Sequence, residues 1–311
     1  IVDSELEAEG QPRLTYFECL TILGFAVFAD QPVNVAVIEV GLGGITDATN
    51  VGDGQVSVIT PISLDHTELL GETTEDIAYE KAGIIKPGGF LISAAQPVDA
   101  AQVLLEKAKE VNVPFRFEGV EFGVESRTVA VGGQMVNIQG IAGRYEDLLL
   151  PLHGAHQAEN AAVAVAALEA FFGAEKPLDA EVLQEAFASV SSPGRLEVLR
   201  TAPTIIVDAA HNPEGIRVSA EAIHEAFSFS KLVVVVGILK EKDAEEILRQ
   251  LKESLGDLAS DFCFTQSNSP RAVPAEDLAE LALDLGFGEE NIHVAEKLDD
   301  ALEWAVERAE S

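Results

Sequence analysis

Basic residues are few in this 311-residue sequence: 20 Lys+Arg stand against 53 Asp+Glu, a formal net charge of −33. A body so negative repels nucleic-acid phosphates and anionic lipid surfaces, which excludes a general polyanion-binding role and leaves only a local basic pocket. Cysteine is scarcer still. Cys19 and Cys263 lie far apart, without CxxC spacing or a Cys/His cluster, so neither a disulfide framework nor a structural zinc site is built from them. A reducing, cytoplasmic setting is the expectation. Long apolar runs are missing too: the longest, Leu232 to Leu239, falls well short of the roughly 18–20 residues of a membrane helix. The sequence opens Ile-Val-Asp with no positively charged leader, so no signal peptide is expected. Apolar residues, in contrast, are plentiful, 47% of the chain against 23% charged, enough to form a packed core rather than a disordered coil. At about 100–200 residues per domain the length allows two domains.

The apolar residues alternate in period along the chain. Phe17, Leu20, Leu23, Phe25 and Phe28 have helical spacing and predict a helix over Leu14–Asp30, stopped by Pro32. Val35–Val40 is a β-branched run bounded by Pro32 and the glycines at 41, 43 and 44, and reads as a buried strand. Val56–Ile59 and Phe90–Ser93 read the same way, with a helix over Thr74–Ile84 between them. Residues 113–142 change character: short alternating segments around Gly132-Gly133 predict an antiparallel ribbon, an insertion or a sheet edge. An Ala-rich helix, Gln157–Phe172, and a second, Asp179–Val190, lead to a boundary at Ser191–Gly194. Beyond it, strands at 205–207, 232–236, 262–265 and 292–294 alternate with helices at 213–227, 244–255, 274–285 and 298–309, the repetition of a mostly parallel α/β domain. The expected fold class is α/β, with domains at 1–192 and 193–311. The acids fall mainly on the predicted helices, where they form solvated faces.

Chemistry concentrates at the strand ends. Glu39 closes the run before Gly41-Leu42-Gly43-Gly44, where open α/β sheets bind ligands; a helix-capping role for it is equally open. His66 follows the next strand, and with Glu39 and a phosphate it can hold a divalent cation such as Mg²⁺ or Mn²⁺. Lys81 lies on a helix beside Ile77, Ala78 and Ile84, and by its neighbours alone reads as a snorkelling lysine. His156, Gln157 and Asn160 begin the Ala-rich helix, whose free amides favour anions, although capping explains them as well. Arg195 lies between the domains, where a guanidinium can clamp a phosphate or carboxylate. Asp208 ends another strand, with His211 and a helix-starting Pro213 just beyond. One inter-domain cleft for all of them is the expectation.

The ordered set TYFE (15–18), EVGLGG…DATN (39–50), LDH (64–66), EKAGIIKPG (80–88), HQ..NAA (156–162), PGRLE (193–197) and DAAHNP (208–213) resembles folylpolyglutamate synthases and the bifunctional dihydrofolate synthases of the Mur ligase superfamily. The resemblance implies a central parallel-sheet ATPase domain and a smaller Rossmann-like C-terminal domain that acts as the glutamate-ligase domain. It also implies an ATP-dependent amide ligase: a folate or dihydropteroate carboxylate is phosphorylated by ATP, and L-glutamate displaces phosphate from the acyl phosphate. The implied catalytic and metal residues are Glu39, His66 and a carbamylated Lys81. Asn160, Arg195, Asp208 and His211 are the implied ATP residues, and Thr15, Tyr16, Phe17, Glu18, Thr46, Asp47 and Ala48 the implied pterin-side residues. Mg²⁺ is the implied ion, with K⁺ a further candidate, and the protein is expected to be a monomer.

Two departures stand out. No Gly-rich GxxxxGK[ST] loop occurs in these residues, and no final strand follows 298–309, so the stretch is expected to be part of a longer ligase that alone binds ATP poorly and turns nothing over. Ile45 and Thr46 stand where the family usually carries Arg-Leu. The competing readings are a peptidoglycan Mur ligase and a non-catalytic nucleotide-binding α/β fragment.

Overall fold

A computed structural model describes residues 2–31 and 33–310. By internal contacts the chain divides into two compact units: the residues up to Phe122 together with Val163–Lys176, and Gly123–Ala162 together with the residues from Pro177 onward.

The first unit opens with α1 (Val2–Ala8) and α2 (Tyr16–Asp30). Pro32, the expected helix stop, lies outside the described residues; α2 ends at Asp30. A short parallel sheet follows, in the order β1 (Val56–Ile59), β2 (Phe90–Ser93), β3 (Phe115–Phe117). Between the strands run α3 (Thr67–Leu70), α4 (Thr74–Ala82) and α5 (Val98–Glu110). Ile77, Ala78 and Ala82 of α4 and Ala100, Leu104 and Ala108 of α5 pack with Ile59 and Leu91 into one core, the helical and strand periods converging on the same buried face.

Val35–Val40 is a correction. It has no place in the sheet: the segment is irregular, and Val35 and Val37 are 51% and 92% exposed. A β-branched run becomes a strand only where a neighbouring backbone takes its amides and carbonyls, and β1 pairs with β2 alone. α2, helical where expected, buries none of its residues.

The second unit begins with an antiparallel sheet of β4 (Gly123–Ala130), β5 (Gly133–Gln139) and β6 (Arg144–Leu150), turning at Gly132-Gly133 as expected but with a third strand, and excluding 115–117, which joins the parallel sheet instead. α6 (Ala155–Phe171), whose residues from Val163 onward belong to the first unit, and α7 (Ala180–Ala188) follow. Next come β7 (Glu197–Thr201) and β8 (Thr204–Val207), an antiparallel pair. The 205–207 strand was expected in the parallel sheet; it pairs with β7 because the chain doubles back at once through Ala202-Pro203. α8 (Pro213–Ala226), β9 (Leu232–Val236), α9 (Ala244–Leu255), β10 (Ala259–Thr265), α10 (Ala275–Asp284), β11 (Ile292–Ala295) and α11 (Leu298–Glu310) complete the chain. β9, β10 and β11 form a parallel sheet in the order β11-β10-β9. Ile247, Leu248, Leu251 and Leu255, one stripe of α9, pack with Phe262, Phe264 and Leu278 in its core. Both cysteines are free thiols, and burial pushes Cys263 up to about 11. No helix among the described residues is long and apolar enough to cross a membrane.

Candidate functional site

In the first unit the TYFE segment starts α2. Thr15 is the N-cap: its hydroxyl accepts the Glu18 amide at 3.2 Å, and the Glu18 carboxylate accepts the Thr15 amide and hydroxyl at 2.7 and 2.8 Å. The bonds from the Thr15 amide and then its hydroxyl hold the Glu18 carboxyl below its ordinary value. Thr15 and Glu18 therefore satisfy each other, while Tyr16 and Phe17 are exposed to contact something else.

The Phe17 ring lies against Gly41. Three residues on, a Cβ at Gly44 would stand 2.5 Å from the Glu80 carbonyl oxygen and 3.1 Å from the Lys81 Cα, both backbone atoms that cannot step aside. Only glycine allows this approach, and the Ile45 amide uses it to donate to the Glu80 carbonyl at 3.1 Å. The glycine loop thereby joins Phe17 to the helix that carries Lys81.

Asp47 secures the loop from beneath. Its carboxylate accepts the amides of Leu42 and Thr49, each at 2.9 Å, and the Thr49 hydroxyl at 2.5 Å. Burial alone would raise this carboxyl, but the bonds from the Thr49 hydroxyl and from the amides of Leu42, Thr49 and Gly41 outweigh it and hold it below its ordinary value. Of its neighbours, Thr46 is exposed and Ala48 half-buried.

His66 sits just ahead of α3 in the left-handed region, φ 52° and ψ 38°, a conformation that costs a non-glycine residue about 1–3 kcal/mol. Its amide donates to Asp65 Oδ1 at 2.9 Å, and its Nε2 is 3.9 Å from the same oxygen. Among the described residues neither the Glu39 carboxylate nor the half-buried Lys81 ammonium has a hydrogen-bond or ion-pair partner, and no three His, Cys, Asp or Glu side chains gather into a metal site.

In the second unit a single turn carries the expected guanidinium. Leu196 lies at φ +47°, and the turn around it is tied to the end of β8: Ala209 donates to the Gly194 carbonyl at 2.8 Å, and the Leu196 amide donates to the Asp208 carboxylate at 2.9 Å. Asp208 also accepts the Ala210 amide and the Ser219 hydroxyl, both at 2.9 Å. Its role here is to shape the turn. Arg195, at the tip, is exposed and has no side-chain partner among the described residues.

His156, in the first turn of α6, is flanked by the charges of Asp208, Glu159, Arg195 and Arg127. Burial depresses its imidazole; the two acids oppose that and the two arginines reinforce it, with a net fall below the ordinary value. Asn160 is exposed one turn further on. His211 is exposed as well, its Nδ1 3.0 Å from the Ala209 carbonyl, and Asn212 caps α8 through Gly215 at 2.8 Å. A cavity of about 270 Å³ beside Arg195 is lined by Pro151, His153, Ser192, Pro193 and Leu196. His153 Nδ1 is buried with no partner among the described residues, its ring lies 4.8 Å from Phe227, and burial lowers its pKa. His153 carried no expectation from sequence, although two histidines bracketing Gly154-Ala155 were a visible signal.

The Mur ligase middle-domain family matches residues 8–168, and the Mur ligase glutamate ligase domain family matches residues 194–311. The chain belongs to the Mur ligase family. Among the relatives of this Mur ligase chain, dihydrofolate synthase/folylpolyglutamate synthase of Mycobacterium tuberculosis is 43% identical over 98% of this chain and 64% of its own length. The crystal structure of M. tuberculosis folylpolyglutamate synthase complexed with ADP and AMPPCP superposes with a TM-score of 0.93 at 42% identity, covering 99% of this chain and 69% of that one. E. coli FolC in complex with DHPP and ADP gives a TM-score of 0.81 at 30% identity over 97% and 67%. The expected α/β, Mur-ligase-like fold is thus observed. The chain spans between 60% and 64% of the length of the first curated relatives it matches.

Proposed function

We propose that the protein carrying this Mur ligase chain is an ATP-dependent amide ligase that joins L-glutamate to a folate-type carboxylate, either a tetrahydrofolate, dihydropteroate, or both. The observation that carries the reading is the unpartnered Arg195 on its Asp208-shaped turn, in a chain that superposes closely on a folylpolyglutamate synthase complexed with ADP and AMPPCP.

A carboxylate is a poor electrophile, and transfer of the γ-phosphoryl group from ATP gives it a leaving group. The amine of glutamate then attacks the acyl carbon and phosphate departs. Arg195 supplies a planar set of donors to the phosphate oxygens without first breaking a bond within the protein. His156, kept neutral beside it, presents an imidazole that adds no charge to the nucleotide site. Asn160 and His211 extend the same nucleotide site, and Asp208 fixes the turn. In the other unit Phe17 and Tyr16 offer flat apolar surface to a pterin ring, on a loop held by Gly44 and Asp47. Thr15, Glu18, Thr46 and Ala48 frame that surface through the helix cap and the loop.

Glu39 and His66 would hold Mg²⁺, and Lys81, its amine unpartnered, can be carbamylated into a third, carboxylate-like ligand. When bound, the ion neutralises charge on the phosphates. The local domain assignment that accompanies this reading is a central ATP and substrate domain at 1–192 and a glutamate-ligase domain at 193–311, in a monomer.

The test is ADP release by the purified full-length protein with ATP, Mg²⁺, a folate acceptor and glutamate. Release that needs both acceptor and glutamate, with Arg195→Ala raising KM for ATP about tenfold or more, supports the reading. ADP release at an equal rate without glutamate sinks it.

A further inference from the structure

The antiparallel sheet of β4, β5 and β6 carries none of the residues that chemistry singled out, yet its middle strand sends one polar side chain inward. Gln134 on β5 is 1% exposed. Its Nε2 donates to two carbonyls of the loop ahead of α6, those of Leu152 and Gly154 on either side of His153, each at 2.9 Å. Its Oε1 faces Arg127 Nη1 at 3.5 Å, and Arg127 in turn pairs with Glu225 of α8 at 2.8 Å. A buried amide with both donors engaged on one loop fixes that loop far more sharply than apolar packing does, because any shift leaves a desolvated donor or carbonyl unpaired.

The loop is confined from its other side as well. Gly154 has φ +95°, and a Cβ there would lie 2.6 Å from the His156 ring and 2.9 Å from the Ala222 Cβ. The backbone is pressed between α8 and His156, and Gln134 is what holds it there. His156 and Asn160 then leave this loop on the first turns of α6, with His156 among the charges of Asp208 and Arg195.

We propose that Gln134 is a positioning residue of the nucleotide site: through Leu152 and Gly154 it sets the start of α6, and with it His156 and Asn160, against the Asp208–Arg195 turn. This rests on the nucleotide reading of that site. It gives the antiparallel sheet a role in ligand binding, as the rigid support against which one side of the site is registered. Gln134 touches no ligand itself; its influence passes through two carbonyl oxygens.

Calorimetric binding of Mg·AMPPCP to the full-length protein tests this without relying on turnover. Gln134→Met keeps the length of the side chain and removes both donors. The expected result is binding weaker by about ten- to a hundredfold, the cost of misplacing a binding group by about 1 Å, with kcat at saturating ATP changed far less. Gln134→Asn, which keeps the donors on a shorter stem, falls between. Gly154→Ala displaces the same loop from the opposite side and weakens binding similarly, so it carries the test if Gln134→Met fails to fold. Leu248→Ala, in the core of the β9–β11 sheet, supplies an equal loss of stability with unchanged binding.

Binding by Gln134→Met within twofold of the parent, while Arg195→Ala binds much more weakly, overturns this proposal and leaves the nucleotide site standing. Equal weakening by Leu248→Ala also overturns it, since the effect is then general destabilisation. A parent protein that binds no AMPPCP overturns the nucleotide reading itself.

Discussion

Replacing Asp208 with alanine removes three hydrogen bonds from one carboxylate: those from the Leu196 amide, the Ala210 amide and the Ser219 hydroxyl, each at 2.9 Å. Bonds to a charged acceptor contribute about 1.5–3 kcal/mol each when the partner is left without water. Asp208 is half-buried, so water replaces part of what Ala210 and Ser219 lose. The Leu196 amide is different. Leu196 is 3% exposed and held at φ +47°, so its orphaned donor and its unfavoured backbone are felt together. The expected loss is about 3 kcal/mol, or a Tm lower by roughly 6–12 °C at about 2–4 °C per kcal/mol for a unit of this size. Ser219→Ala alone costs about 1 kcal/mol. Because Ser219 acts through the same carboxylate, the double variant loses no more than Asp208→Ala, a coupling that scanning calorimetry of the four proteins measures. AMPPCP binding falls with stability in Asp208→Ala, since the turn that presents Arg195 loses its anchor. A loss under 1 kcal/mol, or full additivity with Ser219→Ala, refutes the claim that Asp208 shapes the turn.

Gly44→Ala forces a methyl against the Glu80 carbonyl oxygen and the Lys81 backbone, and is expected to cost about 1–3 kcal/mol in chemical denaturation. On the proposed ligase reading KM for the acceptor should rise with it; an unchanged denaturation midpoint contradicts the close approach. The depressed histidines predict a pH effect. Below 6.5 the unfolded chain protonates His153 and His156 while the folded chain does not, so stability present above that value is lost as the pH falls toward their folded values. His153→Gln/His156→Gln should flatten the Tm profile between pH 7 and about pH 5, and an unaltered slope rules these two groups out. Nucleotide binding should weaken sharply in EDTA, because a body of charge −33 repels ATP unless a cation intervenes. Equal affinity with and without the chelator contradicts that.

Local patterning carried much of the fold into view. Val56–Ile59, Phe90–Ser93, Leu232–Val236 and Ala244–Leu255 occur with the expected bounds, the strands as short apolar runs bounded by breakers and the helix as a stripe of 3.6 period. Val35–Val40 has equal β propensity and forms no strand, since pairing depends on a neighbouring backbone and not on the run itself. The site shows the same division. The types Asp47, Asp208 and Glu18 were legible, but a carboxylate that binds a ligand and one that caps a helix or ties a turn have the same letter. Distances of 2.7–2.9 Å to backbone amides decide between them. Gln134 had no signal at all, being one polar residue in an alternating strand, and its meaning lies in two carbonyls 18 and 20 residues away.

Residue type and spacing along the chain suffice for the α/β alternation, the excess of acid and the ordered motifs that mark a Mur ligase. Which side chains are engaged in structure and which stand free emerges only from the packed fold. Arg195, Lys81 and Glu39 have no partner among the described residues, while Asp208, Asp47 and Glu18 are fully engaged in holding turns and caps. That distinction is one of hydrogen-bond satisfaction, set by where distant backbone groups come to lie when the chain folds.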